Sequence, residues 1–216
     1  MILTREALER DIPNYKDAKY IEVPPTYTEI GKGAFRYLDN VREIKLPETI
    51  TKIHEEAFWC CEKLEKINLP NKLTKLGSNA FRACESLKQI VIPASIKKIR
   101  TSTFACCTSL SKVIISEGIT EIEKWAFWGC KNLEEIILPV SLKGLGSGVF
   151  ERCYSLKYIA IRSSKLVSIG YAPFDGCINL EEVVLTKDSY LDDDDFIDHL
   201  FENTNEKFNV RVCQNV

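Results

Sequence analysis

Nine cysteines, two histidines and a run of four aspartates are the side chains of this 216-residue chain whose types could carry chemistry. Zinc needs four ligands at characteristic spacing. No Cys-x-x-Cys occurs here, and His54 and His199 stand far apart. The same two isolated histidines leave triads and histidine–metal motifs unsupported, and both read as surface residues. Asp192 to Asp195 offer hard oxygen ligands for calcium, but without the Asp-x-Asp-x-Asp-Gly spacing of a calcium loop. Acids in the first turn of a solvated helix are the better reading of that run. Carboxylate pairs such as Glu134-Glu135 and Glu181-Glu182 fall beside charged neighbours on segments that read as strands. No nucleophile–base constellation stands out, so the expectation is a non-enzymatic protein with no cofactor, no catalytic residue and no metal site.

A repeat decides where the cysteines sit. Phe35, Phe58, Phe81, Phe104, Phe127, Phe150 and Phe174 recur every 23 residues, with 24 at the last step. Cys61, Cys84, Cys107, Cys130, Cys153 and Cys177 each follow a phenylalanine by three residues, one per unit. They are expected to form a ladder facing the core, where a thiol is a small apolar filler whose weak S–H donor can meet a backbone carbonyl. Parallel side-chain vectors on neighbouring rungs disfavour disulfides. Cys60 and Cys106 share another column two units apart, and Cys213 is left over. The odd count, together with the lack of any Asn-x-Ser/Thr site, favours a reducing or anaerobic setting.

A fixed period in the twenties marks a solenoid, in which no unit buries its own apolar face and each must stack on its neighbours. Taking the third unit as reference, Leu73, Leu76, Ala80, Phe81, Cys84, Leu87, Ile90, Ile92 and Pro93 form the buried set. The Leu87 column reads Val41, Leu64, Leu110, Leu133, Leu156 and Leu180; the Ile90 column reads Ile44, Ile67, Val113, Ile136, Ile159 and Val183. The stretch Leu-x-x-Ile-x-Leu alternates with period two and ends in Pro47, Pro70, Pro93 and Pro139, so it predicts a short strand stacked in parallel at ~4.8 Å. Ile21-Glu22-Val23-Pro24 adds a leading half unit. About eight parallel strands follow, with a ninth possible at 208–212. The rest of each unit is too short for an ordinary helix, and a second extended segment plus a tight helical or 3₁₀ turn on the convex side is expected.

This pattern of an Ala-Phe, a Cys and a strand ending in Ile-x-Leu-Pro resembles the BspA-type leucine-rich repeat. The resemblance covers about four fifths of the chain. It implies an α/β repeat fold: a leucine-rich-repeat solenoid with a parallel sheet of about eight short strands and short helical caps at both ends. Ser116, Arg162 and Thr186 replace the proline, Leu38 replaces the first cysteine, and Thr103, Val149 and Pro173 replace the alanine, so the last units should be less regular. The resemblance also implies a surface or secreted protein with an adhesion or host-interaction role, against the reducing setting that the thiols favour. Localisation is therefore left open.

Residues 18–186 are read as repeats, 1–17 as an N-terminal cap and 187–216 as a C-terminal cap, since a repeat array must cover its end units. Residues 4–10 suit a short helix with Thr4 as N-cap. The segment from Leu191 to Phe201 suits another, with Phe196, Ile197, Leu200 and Phe201 on one face. The first ten residues lack the apolar core of a signal peptide, so no export signal is expected. No run of 18 apolar residues exists, and no membrane insertion is expected. Net charge is −2; residues 187–216 carry eight acids and three bases, leaving the remainder at +3. That small excess lacks the basic stripe of a nucleic-acid binder.

The outward strand positions form three columns. Two of them, Lys19, Arg42, Glu65, Lys88, Ser111, Glu134, Lys157, Glu181 and Tyr20, Glu43, Lys66, Gln89, Lys112, Glu135, Tyr158, Glu182, largely alternate in sign, which cross-strand pairing accounts for without a ligand. The third runs Glu22, Lys45, Asn68 and then Val91, Ile114, Ile137, Ala160, Val184. Five outward apolar side chains in succession make a stripe roughly 20 Å long. With Lys112, Glu135 and Tyr158 on its rim, the stripe is a candidate surface for a protein or surface polymer; β propensity alone is the competing account. Trp59, Trp125 and Trp128 are secondary candidates, as exposed anchors or as packing within the convex layer. An intracellular scaffold is the alternative function, and a metal-binding or enzymatic protein a weaker one. Partner identity and oligomeric state are not legible.

Overall fold

The computed structural model describes residues 1–163, 166–186, 200–201, 204 and 208–213. Among these residues nine strands stack in parallel along one face: Tyr20–Glu22, Glu43–Lys45, Lys66–Ile67, Gln89–Ile92, Lys112–Ile115, Glu135–Leu138, Tyr158–Ile161, Glu182–Thr186 and Asn209–Cys213. Equivalent residues pair in register, as Val113 does with Ile90 and Ile159 with Ile136. A one-residue slip would turn every buried isoleucine outward, so burial of one face specifies the register. The period-two reading is thus correct, and the ninth strand exists.

A second, thinner ladder runs along the opposite edge as two-residue strands: Ile2–Leu3, Glu29–Ile30, Lys52–Ile53, Lys75–Leu76, Lys98–Ile99, Glu121–Ile122, Gly144–Leu145 and Ser168–Ile169. Its inward residues, such as Ile30, Ile53, Ile99 and Ile122, are fully buried. This is the expected second extended segment. The first of these strands comes from the N-terminus, so Ile2 and Leu3 pair with Glu29 and Ile30. The helix Arg5–Asp11 then folds over the first repeat, with Thr4 as its N-cap accepting from the Ala7 N–H at 3.2 Å and Leu8 buried beneath it.

Between the ladders lies a single file of rings. Consecutive phenylalanines from Phe35 to Phe174 stack at centroid distances of 4.9–5.4 Å, and from Phe58 onward their planes are within 7° of parallel. Each ring is completely buried. The separation is that of adjacent strands with a slight offset, which suits the ring quadrupoles better than a flush sandwich. Phe201 continues the file at 5.2 Å from Phe174. The sequence places Leu200 and Phe201 on one apolar helix face; both are buried, Leu200 is helical, and the Phe201 ring forms the next rung. The remainder of that proposed helix, 191–199, lies outside the described residues.

The connection around each phenylalanine differs from the expected helical or 3₁₀ turn. In the first unit the N–H groups of Ala34, Arg36 and Leu38 donate to carbonyls three residues back, at 3.1–3.2 Å. The alternate N–H groups of Gly33, Phe35 and Tyr37 donate instead to Glu55, Ala57 and Trp59 of the next unit, at 2.8–3.1 Å. A 3₁₀ segment would direct all six bonds inward and leave neighbouring units unjoined. Alternation requires left-handed backbone two residues before and two after each ring, as at Gly33 and Tyr37 or Asn79 and Ala83.

The thiols occupy the space left by this turn. Each ladder cysteine donates from Sγ to the carbonyl of the preceding unit's phenylalanine, from Cys61 to Phe35 at 3.0 Å through Cys177 to Phe150 at 3.3 Å. Burial pushes the Cys61 and Cys177 thiols up to about 12 and holds Cys84, Cys107, Cys130 and Cys153 well above the usual thiol range. All nine cysteines are free. At neutral pH the ladder is therefore protonated and shielded, the opposite of a reactive cysteine's setting.

Two outcomes follow from this packing. Replacing Phe104 by Ala should lower stability by roughly 3–5 kcal/mol in urea denaturation, because it opens a rung that two neighbours cannot refill; an unchanged midpoint would refute the stacked core. Iodoacetamide applied to native protein should modify at most Cys60, Cys106 and Cys213, with the six ladder cysteines labelled only after unfolding, as read by peptide mass spectrometry.

Candidate partner-binding surface

Cross-strand ion pairs cover the first half of the strand face. Glu22 meets Lys45 at 2.7 Å, Glu43 meets Lys66 at 2.9 Å, and Glu65 bridges Arg42 and Lys88 at 2.8 Å each. Hydrogen bonds from Lys88 and Arg42 hold the Glu65 carboxyl below its usual range. Each pair links equivalent positions of neighbouring units, which is the pairing expected from alternating signs. The pattern stops partway along the sheet: Lys112, Glu134, Glu135, Lys157, Glu181 and Glu182 make no ion pair among the described residues.

The apolar column begins where the pairs end. Val91, Ile114 and Ile137 are 53%, 45% and 47% exposed and stand on three successive strands. Ala160 does not continue the stripe as expected, being only 5% exposed. Its methyl pairs with Ile137 on one side and Val184 on the other, and both branched neighbours overtop it. Val184 is half-buried. The exposed run is therefore three side chains long, followed by a shallow step. Lys112 and Glu135 are exposed beside it, and Tyr158 is half-buried.

A groove of about 610 Å³ opens at the N-terminal end of this run, lined by Ile44, Leu46, Ile67, Leu69 and Val91 among others. Its cause is proline. Where the strand-ending position carries an amide proton, it donates to the preceding unit and lengthens the pairing, as Ser116 does to Ile92 and Arg162 to Leu138, both at 3.2 Å. Pro70 and Pro93 have no such proton. The Asn68 side chain substitutes for the first of these missing donors: its amide nitrogen donates to the Leu46 carbonyl and its oxygen accepts from the Leu46 N–H, both at 2.9 Å. No donor among the described residues reaches the Leu69 carbonyl, and the strands Lys66–Ile67 and Gln89–Ile92 separate there. The groove's traces in the sequence are Pro70, Pro93 and Asn68, the last polar residue of its column before Val91.

The three tryptophans differ in setting. Trp59 is sandwiched on the turn ridge, with the Arg36 guanidinium 4.0 Å and that of Arg82 5.7 Å from its ring centroid; it belongs to the packing. Trp125 is 43% exposed, while Trp128 is half-buried and donates from Nε1 to Glu151 at 3.0 Å. Those two line a concavity of about 340 Å³ together with Arg82, Ser102, Ala105 and Glu151. His54 bonds to Glu29 at 2.7 Å, and bonds from His54 and Lys52 hold that carboxyl below its usual range. Among the described residues no three His, Cys, Asp or Glu side chains converge as a metal site. Asp192 to Asp195 and His199 lie outside the described residues. No helix among the described residues is long and apolar enough to cross a membrane.

The family model for the BspA type leucine rich repeat region matches residues 12–133 and 97–216, with six copies. Among solved structures, the chain is similar to a leucine rich repeat protein of T. pallidum at 27% identity, over 89% of this chain and 88% of that one, with a TM-score of 0.73. It is also similar to a leucine rich cell surface protein of Faecalibacterium prausnitzii, at 20% identity over 80% and 65% of the two chains with a TM-score of 0.55. A leucine-rich repeat protein of Bacteroides ovatus aligns at 22% identity over 92% and 67%, also at 0.55. No curated protein matches in sequence.

Asn68→Ala should cost roughly 1–3 kcal/mol, since it strips both backbone groups of Leu46 of their partners. Urea denaturation of the two proteins checks it, and equal stabilities would show that the Asn68 amide is dispensable to the sheet.

Proposed function

We propose that this chain, which belongs to the BspA-type leucine-rich repeat family, is a non-enzymatic protein-interaction module that binds a protein or surface polymer through the second half of its strand face. The observation that carries this reading is the run of Val91, Ile114 and Ile137, exposed on adjacent strands just where the cross-strand ion pairs give out. Charges in the first half are already matched within the sheet and offer a partner little. In the second half, Lys112 and Glu135 remain unpaired among the described residues and flank an apolar surface that water hydrates poorly.

Magnitudes limit what the run does alone. Burying ~200 Å² of apolar surface is worth ~5 kcal/mol gross, against an association cost of ~4–15 kcal/mol. The rim residues Lys112, Glu135 and Tyr158 must therefore take part, with the groove beside Asn68 extending the contact at one end. Adhesion or host interaction is the finer form of this reading, supported by the family. An intracellular scaffold is the second form, supported by nine free thiols, which persist more readily in a reducing compartment.

The test compares intact protein with Ile114→Asp, Ile137→Asp in affinity capture from the source organism. Both side chains lie outside the core, so circular dichroism and melting should be unchanged while the captured partner is lost. Capture at the intact protein's level by the double variant would remove the strand face from consideration.

A further inference from the structure

The position immediately after each phenylalanine forms its own column along the turn ridge: Arg36, Trp59, Arg82, Ala105, Trp128, Glu151. Its first members alternate guanidinium, indole and guanidinium, with Arg36 4.0 Å and Arg82 5.7 Å from the Trp59 ring centroid. Trp128 restarts the stack, with the Arg152 guanidinium 5.4 Å from its centroid. Between Arg82 and Trp128 the rung is missing, because Ala105 brings only a methyl. The neighbouring ridge position in the same unit is also small, Ser102, and both residues are buried at the floor of the 340 Å³ concavity.

The geometry points to a binding site for one aromatic ring in this gap, filled by a tyrosine or tryptophan side chain of a partner protein. The underlying phenylalanine rungs are 5.4 and 5.3 Å apart, so Arg82 and Trp128 root about 11 Å from each other, roughly twice the strand spacing. A ring placed midway meets a guanidinium within the ~6 Å range of a cation–π contact on one face. On the other it meets an indole within the ~4.5–7 Å range of aromatic pairs. Two rings do not fit, and an aliphatic side chain would leave both faces unmatched.

Charge agrees with this occupant. Arg82 makes no ion pair among the described residues; it contacts the Trp59 ring and, at 3.5 Å, Asn79 Oδ1. Its gap-facing side is thus a cation in want of an electron-rich face. Glu151, whose Oε1 accepts from Trp128 Nε1 and pairs with Arg152 at 3.6 Å, sets a carboxylate at the far wall, with its second oxygen an acceptor for a phenol O–H or indole N–H. Trp125 stands at the rim in left-handed backbone, φ 57°, a conformation that disfavours bulky residues. Its indole packs over Gly148, where a Cβ would come within 2.8 Å of the ring. The site lies on the turn ridge, separate from the strand face, so each stands or falls on its own variants.

The probes are N-acetyl-tyrosinamide and N-acetyl-tryptophanamide, titrated into ¹⁵N-labelled protein while the Trp125 and Trp128 indole N–H signals are followed. Saturable shifts with a Kd on the order of 1 mM are expected, as befits a single buried ring. N-acetyl-leucinamide should give none. Ala105→Trp supplies the missing rung from within and should weaken binding at least tenfold with the melting temperature kept, since Trp already occupies this column at Trp59 and Trp128. Should that variant fail to fold, Trp128→Leu read at Trp125 replaces it, with the same tenfold loss expected. Absence of saturation, equal binding of the leucine probe, tighter binding of adenosine than of either amide, or an undiminished affinity in the folded variant would each overturn the proposal.

Discussion

A separation of about 5 Å between successive coils governs this molecule. It is the distance at which parallel strands hydrogen-bond, and every other regularity adopts it. The phenylalanine rings stack at it, the thiols reach across it to the previous unit's carbonyl, and the lysine–glutamate pairs span it. An unusual feature of the turn keeps the distance constant through the non-strand part of each coil. Half of the N–H groups there close local turns and half bond to the next coil, so the backbone is tied on all sides. No unit can shift without breaking bonds on both neighbours, which is why a repeat array is stable only as a stack.

Given such uniformity, distinctive surface arises where one coil departs from its neighbours. Proline at the end of a strand withholds a single amide proton; Asn68 makes good the loss at Pro70, and at Pro93 the sheet parts. An alanine in a column of arginine and tryptophan leaves a gap of one rung. A change from charged to branched apolar residues converts a self-neutralised face into an exposed one. Each departure is one or two residues in size, and the rigid frame on either side turns it into a defined shape.

These departures lie on different sides of the coil. The groove and the apolar run share the strand face, where the sheet supplies a flat platform and the unpaired charges supply a rim. The ridge concavity is walled by planar groups whose spacing is set by the phenylalanines beneath them. Among the described residues neither place gathers three side chains that could hold a metal ion.

Much of this was legible from residue order. A strict period fixes which residues share a column, and an aliphatic column in period-two phase must be inward, so strands, register, core and the inert cysteine ladder could all be read from the chain. So could the residues whose side chains point outward. What tertiary structure alone decided is how high each of them stands and what it meets. Ala160 occupies an outward position yet is overtopped by Ile137 and Val184. Trp59 and Trp128 share a column, but one lies between two guanidinium groups and the other borders a gap. Phe201 reads as one of an apolar face, and its ring extends the phenylalanine file. The physical reason is common to all three: periodicity records direction from the axis, whereas exposure and contact depend on the sizes of the side chains in the coils before and after, roughly 23 residues away along the chain and 5 Å away in space.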